Sequence, residues 1–320
     1  MSALLEVDGL RMHFFTKAGI VKAVDDVSFR VERGRILGLV GESGSGKSMT
    51  GYSIMGLVDP PGRIVQGRIA LDGRDLAGLD EAQWRALRGN RIAMIFQDPM
   101  MTLNPVLRID TQMVEAVRAH HAVSRESALQ RSREALVRVG ISSPDERLRG
   151  YPHQFSGGMR QRVAIAIAWL NGPDLIIADE PTTALDVTIQ GQILFEMQKL
   201  CRDSKTGLIW ITHDLSVIAG LADEVCVMYA GRIVESGSVD DVLDRPMHPY
   251  TRGLLDSVPG RNLRGEPLAQ IPGSTPSLLR LDAGCAFRTR CRRAVDECRS
   301  APPARSPTVG RTLRCVNPLP

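Results

Sequence analysis

A glycine-rich stretch at residues 41–48 carries the clearest chemistry in this sequence. It reads Gly-Glu-Ser-Gly-Ser-Gly-Lys-Ser and follows an apolar run, Ile36–Val40. Glycines at this spacing let backbone N–H groups surround phosphate oxygens, and a helix starting just after them adds its positive dipole end. Lys47 would reach β- and γ-phosphates, and the Ser48 hydroxyl would ligate Mg²⁺. The stretch therefore predicts a nucleoside-triphosphate site.

Polar side chains also follow three further apolar runs of the strand type. Asp179 and Glu180 end one run, Gln97 ends another and His213 ends a third. Adjacent carboxylates repel each other and burial raises that cost, so a cation is expected beside them. Asp179 would support the Mg²⁺ shell and Glu180 would hold the attacking water as general base. Gln97 and His213 would lie at the sheet edge where open α/β sheets bind ligands, and His213 would contact a phosphate rather than serve a structural role.

A second anion-binding helix start is predicted at residues 155–162, Phe-Ser-Gly-Gly-Met-Arg-Gln-Arg, before an apolar-periodic helix. N-capping alone would explain Ser156, but not the pair Gly157 and Gly158 followed by Arg-Gln-Arg. Upstream of residues 41–48, Phe14 fits two interpretations equally, an aromatic that stacks on adenine or an ordinary strand residue.

The elements that must position these residues alternate in type along the chain. Residues 1–31 have the pattern of antiparallel strands, and residues 64–71 that of another strand and turn. Residues 100–150 are helical, with Ser124 as a helix N-cap, and residues 223–237 form a strand pair joined at Ala230 and Gly231. We expect an ATPase domain over residues 1–238, with a helical insert over about 98–170, and a small extension over residues 239–320.

Composition indicates a globular protein of ordinary type. The chain has 320 residues, 43% hydrophobic and 24% charged, with a net charge of +4. Residues 280–320 hold nine arginines against three acids. Such a basic tail fits nucleic acid or anionic lipid, but more often it is a solvated surface. No signal peptide is recognised, and the longest apolar run, residues 163–170, is too short to span a membrane.

Six cysteines without a signal peptide indicate reduced thiols or metal ligands. Cys201 and Cys226 fall in a helix and a strand and are interpreted as core residues. The other four lie in the basic tail: Cys285, Cys291, Cys298 and Cys315. Four clustered thiols suit Zn²⁺ or an Fe–S cluster, although incidental reduced thiols are the alternative.

Taken together, these motifs resemble the nucleotide-binding subunits of ABC transporters, in order and spacing, over about residues 3–237. The resemblance implies an α/β P-loop NTPase fold of the ABC type, with a mixed sheet core, an antiparallel β subdomain, an inserted helical subdomain and a small C-terminal extension. It implies ATP sandwiched between the P-loop of one subunit and the signature, residues 155–159, of a partner. Ser156 and Gly158 would then touch the γ-phosphate of the ATP bound by the partner subunit, and Asp186 would line the seam between the two subunits. Met159 departs from the commoner glutamine, but the phosphate contacts depend on the serine and the glycine backbone.

The resemblance assigns further contacts. ATP would be bound by Phe14, Gly41, Glu42, Ser43, Gly44, Ser45, Gly46, Lys47, Ser48, Met49, Gln97, Ser156, Gly157, Gly158 and Asp186. Mg²⁺ would be held by Ser48, Gln97 and Asp179, and hydrolysis would involve Glu180, His213 and Gln97.

Several short segments have sequences similar to those of dipeptide and oligopeptide importers, among them residues 94–105, 151–155 and 247–251. That group implies a second ATPase subunit in a heterodimer, two membrane permease subunits and an extracytoplasmic peptide-binding protein, with no nucleic acid, at the cytoplasmic face of the membrane. It also implies a [4Fe–4S] cluster on the four tail cysteines, with Zn²⁺ as the alternative. Rival functions are the same machinery with nickel, oligosaccharide or drug cargo, and a DNA-repair ATPase. The latter would need a long coiled coil that the segment of about 110 residues between Ser48 and Ser156 does not contain.

Overall fold

The computed structural model describes residues 3–183, 185–258, 260 and 269–320. Ala184, which precedes the predicted seam residue Asp186, and residues 261–268 of the predicted extension lie outside this range. The chain divides into two compact units, each assembled from segments far apart in sequence. Unit 1 comprises Met1–Val31, Ile36–Ala77 and Trp210–Pro320, and unit 2 comprises Glu32–Arg35 and Gly78–Ile209.

The strands and helices, in chain order, have the following bounds. The strands are β1 (Leu5–Thr16), β2 (Gly19–Val31), β3 (Ile36–Val40), β4 (Gly62–Leu71), β5 (Arg74–Asp75), β6 (Ile92–Ile95), β7 (Leu175–Asp179), β8 (Gly207–Thr212), β9 (Glu224–Tyr229), β10 (Arg232–Ser238) and β11 (Thr312–Leu313). The α-helices are α1 (Lys47–Met55), α2 (Glu81–Leu87), α3 (Ile109–Arg118), α4 (Arg125–Arg138), α5 (Pro144–Leu148), α6 (Gly157–Trp169), α7 (Val187–Ser204), α8 (Leu215–Leu221), α9 (Val239–Asp244) and α10 (Pro249–Asp256).

Unit 1 contains an antiparallel sheet with the order β2-β1-β4-β5. β1 pairs with β2 on one side and with β4 on the other. The sequence predicts shorter strands in this region, because bulges interrupt the alternation of apolar residues while the ladder continues through them. The predicted antiparallel subdomain is confirmed.

The other strands of unit 1 carry the glycine-rich loop. They lie in the order β11-β10-β9-β3, and β3 is parallel to β9. All five residues of β3 are buried, as expected for a strand covered on both faces. On one of those faces, Ile218 of α8 lies over Gly38, where an added Cβ would be 2.8 Å from its Cδ1. The last strand, β11, adds to the edge of β10 through two residue pairs, so part of the predicted extension belongs to this sheet.

In unit 2, β6 and β7 are parallel neighbours, and all residues of both strands are buried. β8 is divided between the two units, with its first three residues in unit 2 and its last three in unit 1. The helices α3, α4, α5 and α6 pack together as the predicted helical insert. Within it Val114, Val117 and Ala128 form a buried cluster, and Ser124 caps α4 as predicted.

In the described ranges, we find no helix with the length and apolar character needed to cross a membrane. The mixed sheet, the antiparallel sheet and the helical insert are the elements that the predicted fold requires.

Candidate active site

The glycine-rich loop joins the end of β3 to the start of α1 within unit 1. Gly41 and Gly46 have φ angles of 155° and 104°. A Cβ on Gly41 would lie 2.2 Å from the carbonyl oxygen of Met228, and one on Gly46 would lie 2.3 Å from that of Ala23. Any side chain at these positions would collide with backbone, so both glycines are required for the loop to close this tightly.

The interior of this loop has the polar groups that a triphosphate requires. The Lys47 ammonium donates to the carbonyl oxygens of Gly41 at 2.8 Å and of Glu42 at 3.1 Å, which holds it across the loop. α1 begins after Gly46 without a side-chain cap, so its first N–H groups depend on another acceptor. The Ser45 hydroxyl is buried and has no hydrogen-bond partner among the described residues. These groups fit an anionic ligand in the loop.

The remaining loop residues that are predicted to bind ATP differ in their exposure. Ser43 and Gly44 are exposed, while Ser48 and Met49 are partly buried in the first turn of α1.

In unit 2, the predicted acidic residues and Gln97 lie together at the end of two neighbouring strands, β6 and β7. Ile95 of β6 is in register with Ala178 of β7, and Gln97 and Glu180 each lie two residues beyond that pair. Gln97 is exposed, Asp179 is buried with 3% exposure, and Glu180 is partly buried. The sheet therefore brings together one amide and two carboxylates, which are oxygen donors of the kind that Mg²⁺ accepts.

Glu180 has an unusual backbone conformation for a residue with a Cβ. Its φ is 45°, in the left-handed region that non-glycine residues seldom adopt. The Glu180 carboxylate accepts a hydrogen bond from the Thr183 hydroxyl at 3.0 Å. Strained backbone of this kind concentrates at functional sites, where it fixes the direction of a side chain.

The signature forms a helix start, also in unit 2. Ser156 is exposed and caps α6 by accepting a hydrogen bond from the Met159 N–H at 3.3 Å. Asp186 caps α7 in the same way, accepting from Ile189 N–H at 3.0 Å. A Cβ on Gly158 would lie 2.9 Å from the Ile189 side chain, so the signature and the start of α7 are in contact. Gly157 has no heavy atom near the position of its missing Cβ, which leaves the backbone there open to a ligand.

His213 and Phe14 both lie in unit 1. His213 is exposed and follows β8, the strand next to the one that leads into the glycine-rich loop. Phe14 is partly buried, with its ring 2.8 Å from the position that a Cβ on Gly62 would occupy. The Arg63 guanidinium lies 3.9 Å from the centroid of the neighbouring Phe15 ring. Adenine stacking by Phe14 stays a prediction.

The four tail cysteines approach one another within unit 1. The Cys285 N–H donates to the Cys298 carbonyl oxygen at 2.9 Å. Burial raises the pKa of the Cys315 thiol to about 11, and the other three cysteines add to that rise. Among the described residues, however, no three His, Cys, Asp or Glu side chains are placed as ligands of a metal ion. The thiols are therefore close enough to interact but are not arranged as a ligand set.

Cys201 and Cys226 are buried in the core, as predicted, and burial raises the pKa of the Cys226 thiol to about 12.

Two residues at the loop were not predicted from the sequence. The Glu42 N–H donates to the Tyr250 hydroxyl at 2.9 Å, and the Glu42 carboxylate pairs with the guanidinium of Arg290. Tyr250 lies within residues 247–251, which resemble peptide importers, but that resemblance predicts no contact between the tyrosine and the glycine-rich loop. Nothing local in the sequence pairs Arg290 with a residue 248 positions earlier.

Comparison with known proteins agrees with this geometry. Residues 24–183 match the family described as ABC transporter, and residues 234–298 match the one described as oligopeptide/dipeptide transporter, C-terminal region. The oligopeptide transport ATP-binding protein OppD of Escherichia coli (strain K12) is 48% identical over 317 residues, which cover 99% of this chain and 94% of that protein. The oligopeptide transport ATP-binding protein AppD of Bacillus subtilis (strain 168) is 48% identical, with 98% and 97% covered.

Among solved structures, a dimer of the ATP-binding cassette MJ0796, in a post-hydrolysis state with ADP and Pi, superposes with a TM-score of 0.67. It is 26% identical in sequence, and the match covers 73% of this chain and 98% of that one. The family predicted from the motifs is thereby confirmed: this chain belongs to the ABC transporter family, as an ATP-binding subunit.

Proposed function

We propose that this chain is the ATP-hydrolysing subunit of an importer that takes up oligopeptides or dipeptides. The observation that carries the proposal is the combination of phosphate loop, acidic sheet edge and signature helix in a chain whose C-terminal region matches oligopeptide transporters. The relatives named above are oligopeptide transport ATP-binding proteins, and they match this chain along nearly their whole length. These relatives favour peptide over nickel, oligosaccharide or drug cargo, and over a role in DNA repair.

Each site residue then has a chemical role. Lys47 and the N–H groups of residues 43–48 bind the β- and γ-phosphates, and Phe14 stacks on the adenine. Ser48, Gln97 and Asp179 hold Mg²⁺, which neutralises charge on the phosphates when bound. Glu180 takes a proton from the attacking water, and His213 contacts the γ-phosphate.

The subunit is proposed to work in a complex. Ser156, Gly158 and Asp186 lie on exposed helix starts, where they can face the ATP bound by a second ATPase subunit, in a heterodimer. Two permease subunits and an extracytoplasmic peptide-binding protein complete the importer, with this chain peripheral at the cytoplasmic face of the membrane. Gln97 and the loop that follows it, with the helical insert, would pass nucleotide-dependent motion to the permeases.

The assembled complex should hydrolyse ATP much faster than the isolated chain, because each phosphate loop needs a signature from another subunit. We expect peptide-loaded binding protein to stimulate the reconstituted complex in liposomes, measured as phosphate release together with uptake of labelled peptide. Ser156→Ala should lower the rate of the complex, and Ser127→Ala, on the exposed start of α4, is its matched control. An isolated chain as fast as the complex would contradict the shared site, and transport of another cargo without peptide uptake would contradict the peptide assignment.

For the four tail cysteines we propose a [4Fe–4S] cluster, with Zn²⁺ as the alternative. Support comes from the donor set, because the four thiols are close enough to interact electrostatically. In addition, the backbone N–H groups of Phe287, Arg293 and Asn317 donate hydrogen bonds to three of the sulfur atoms, those of Cys285, Cys291 and Cys315 respectively. Such N–H donors, with the surrounding arginines, stabilise thiolates bound to metal. Without a metal, the raised pKa values keep the thiols of Cys285, Cys291 and Cys315 protonated at neutral pH. Since the four thiols are not arranged as a ligand set among the described residues, metal binding requires the sulfur atoms to move towards the metal.

Protein purified without oxygen should be brown and contain about four irons per chain if this proposal is correct. Cys291→Ser should remove the colour and make the region after Gly284 sensitive to protease, and Cys201→Ser, at a buried core thiol, controls for the loss of a cysteine alone. Iron and zinc are measured by elemental analysis. One zinc per chain without iron would replace the cluster with a four-thiolate zinc site, and alkylation of all four thiols in metal-free native protein would reject both.

A further inference from the structure

Glu42, which directly follows Gly41 in the phosphate loop, is held by two residues from the C-terminal part of unit 1. Tyr250 of α10 accepts a hydrogen bond from the Glu42 N–H at 2.9 Å. Arg290, from a 3₁₀ turn over Arg288–Arg290, donates to both carboxylate oxygens of Glu42, at 2.6 Å from Nη1 and 3.0 Å from Nη2. The loop that binds phosphate is therefore tied, through one residue, to the segment that contains the four cysteines.

Arg290 is itself fixed in place on all sides. Its Nε donates to the Pro272 carbonyl oxygen at 2.8 Å, and its Nη1 lies 3.3 Å from the Tyr229 hydroxyl. The guanidinium carbon lies 5.8 Å and 6.0 Å from the ring centroids of Tyr229 and Phe287. The side chain of Arg290 is only 4% exposed, while that of Glu42 is 28% exposed. A buried, preorganised guanidinium makes the strong, directional kind of carboxylate pair.

The charge of Glu42 makes this pair relevant to nucleotide binding. A carboxylate in a loop that must surround a triphosphate repels the ligand, and the repulsion is larger near low-dielectric protein than in water. The fork of Arg290 neutralises the carboxylate and fixes its direction, while Tyr250 fixes the N–H of the same residue. Loss of the guanidinium would leave an unpaired negative charge at the entrance to the phosphate site.

We propose that Arg290 is a positioning residue for nucleotide binding, which acts by neutralising and orienting Glu42 so that the phosphate loop accepts ATP. The inference rests on the proposed nucleotide site at residues 41–48. It adds a requirement for the C-terminal segment in the ATP affinity of the same chain.

The test measures Mg²⁺-ATP binding to the full-length chain by calorimetry. Arg290→Met should raise the Kd on the order of tenfold, since a charged hydrogen-bonding partner is lost. Adding Glu42→Gln to this variant should restore most of the affinity, because the unpaired carboxylate is then gone. Raising the salt concentration should also reduce the defect of the single variant by screening the repulsion. Arg299→Met, at a 76% exposed arginine paired with the exposed Asp296, is the matched control.

Among variants whose circular dichroism is that of the wild type, failure of the double variant to bind ATP more tightly than Arg290→Met overturns the inference. A purely structural role would lower the free energy of unfolding without giving such folded variants a weaker, salt-dependent affinity for ATP. A wild-type Kd for Arg290→Met overturns it as well. If Arg290→Met does not fold, judged by circular dichroism, Arg290→Gln with and without Glu42→Gln provides the same comparison, because glutamine also removes the charge but can still donate to the Pro272 carbonyl oxygen. Lys47→Ala separates the two levels: if it keeps ATP affinity, the proposed site is wrong, whereas if it loses affinity and Arg290→Met does not, only the role of Arg290 is wrong.

Discussion

Glu180→Gln is expected to lower the kcat of ATP hydrolysis by about 10²–10⁴-fold while ATP and Mg²⁺ still bind. The amide keeps the size of the side chain and can accept from the Thr183 hydroxyl, which hydrogen-bonds to the carboxylate at 3.0 Å. It cannot take a proton from the attacking water at neutral pH. The variant should be measured in the assembled complex, with the site of the partner ATPase inactivated, by phosphate release and by ATP affinity.

Glu126→Gln is a suitable control, because it makes the same chemical change at an exposed position in the first turn of α4. It should leave the rate unchanged. Turnover near the wild-type value in the Glu180 variant would contradict the general-base role. Loss of ATP affinity in that variant would show that Glu180 supports binding instead.

The second large effect is expected on stability, at the point where the C-terminal segment joins the sheet of unit 1. Arg311 is 7% exposed and donates to the fully buried carboxylate of Glu235 at 2.6 Å. Arg311→Met would leave that carboxylate with the N–H groups of Met247 and His248 but without a countercharge. We expect a loss of about 3–5 kcal/mol in the free energy of unfolding, measured by urea denaturation of the full-length chain.

Two comparisons qualify this prediction. Arg299→Met removes an exposed arginine whose pair with Asp296 is also exposed, and it should change the free energy of unfolding by less than about 1 kcal/mol. Adding Glu235→Met to Arg311→Met should recover part of the loss, since no buried charge remains. Equal effects of the two single variants would show that the buried pair contributes no more than a surface pair.

The sequence predicts the strands and loops of this fold well where the signal is local. The continuous apolar runs of β3, β7 and β8 identify buried strands, and the polar residues Gln97, Asp179, Glu180 and His213 are recognised because they stand where such runs end. Caps such as Ser124 follow from the chemistry of one helix turn. These features depend on neighbours along the chain, so one sequence contains enough information to find them.

Contacts between distant segments could not be predicted in the same way. The two compact units interleave segments of the chain, and β11 pairs with β10 only after the chain has returned to that edge. The pair of Glu42 and Arg290 has no local pattern, because arginines are common in the tail and any of them could have met the loop. The four cysteines show the opposite difficulty, since their spacing indicates a metal but their positions as described do not form a ligand set.

The long separation of Glu42 and Arg290 also has a consequence for how the protein is made. A ribosome adds about 5–20 residues per second, so Arg290 is synthesised roughly 12 to 50 s after Glu42, from which it is 248 residues distant. During that interval the phosphate loop of the nascent chain has its glycines, lysine and carboxylate but lacks the guanidinium that pairs with Glu42. A nascent chain that has not reached Arg290 should therefore bind ATP more weakly than one that contains it, and full affinity should arise only after Arg290 has been synthesised.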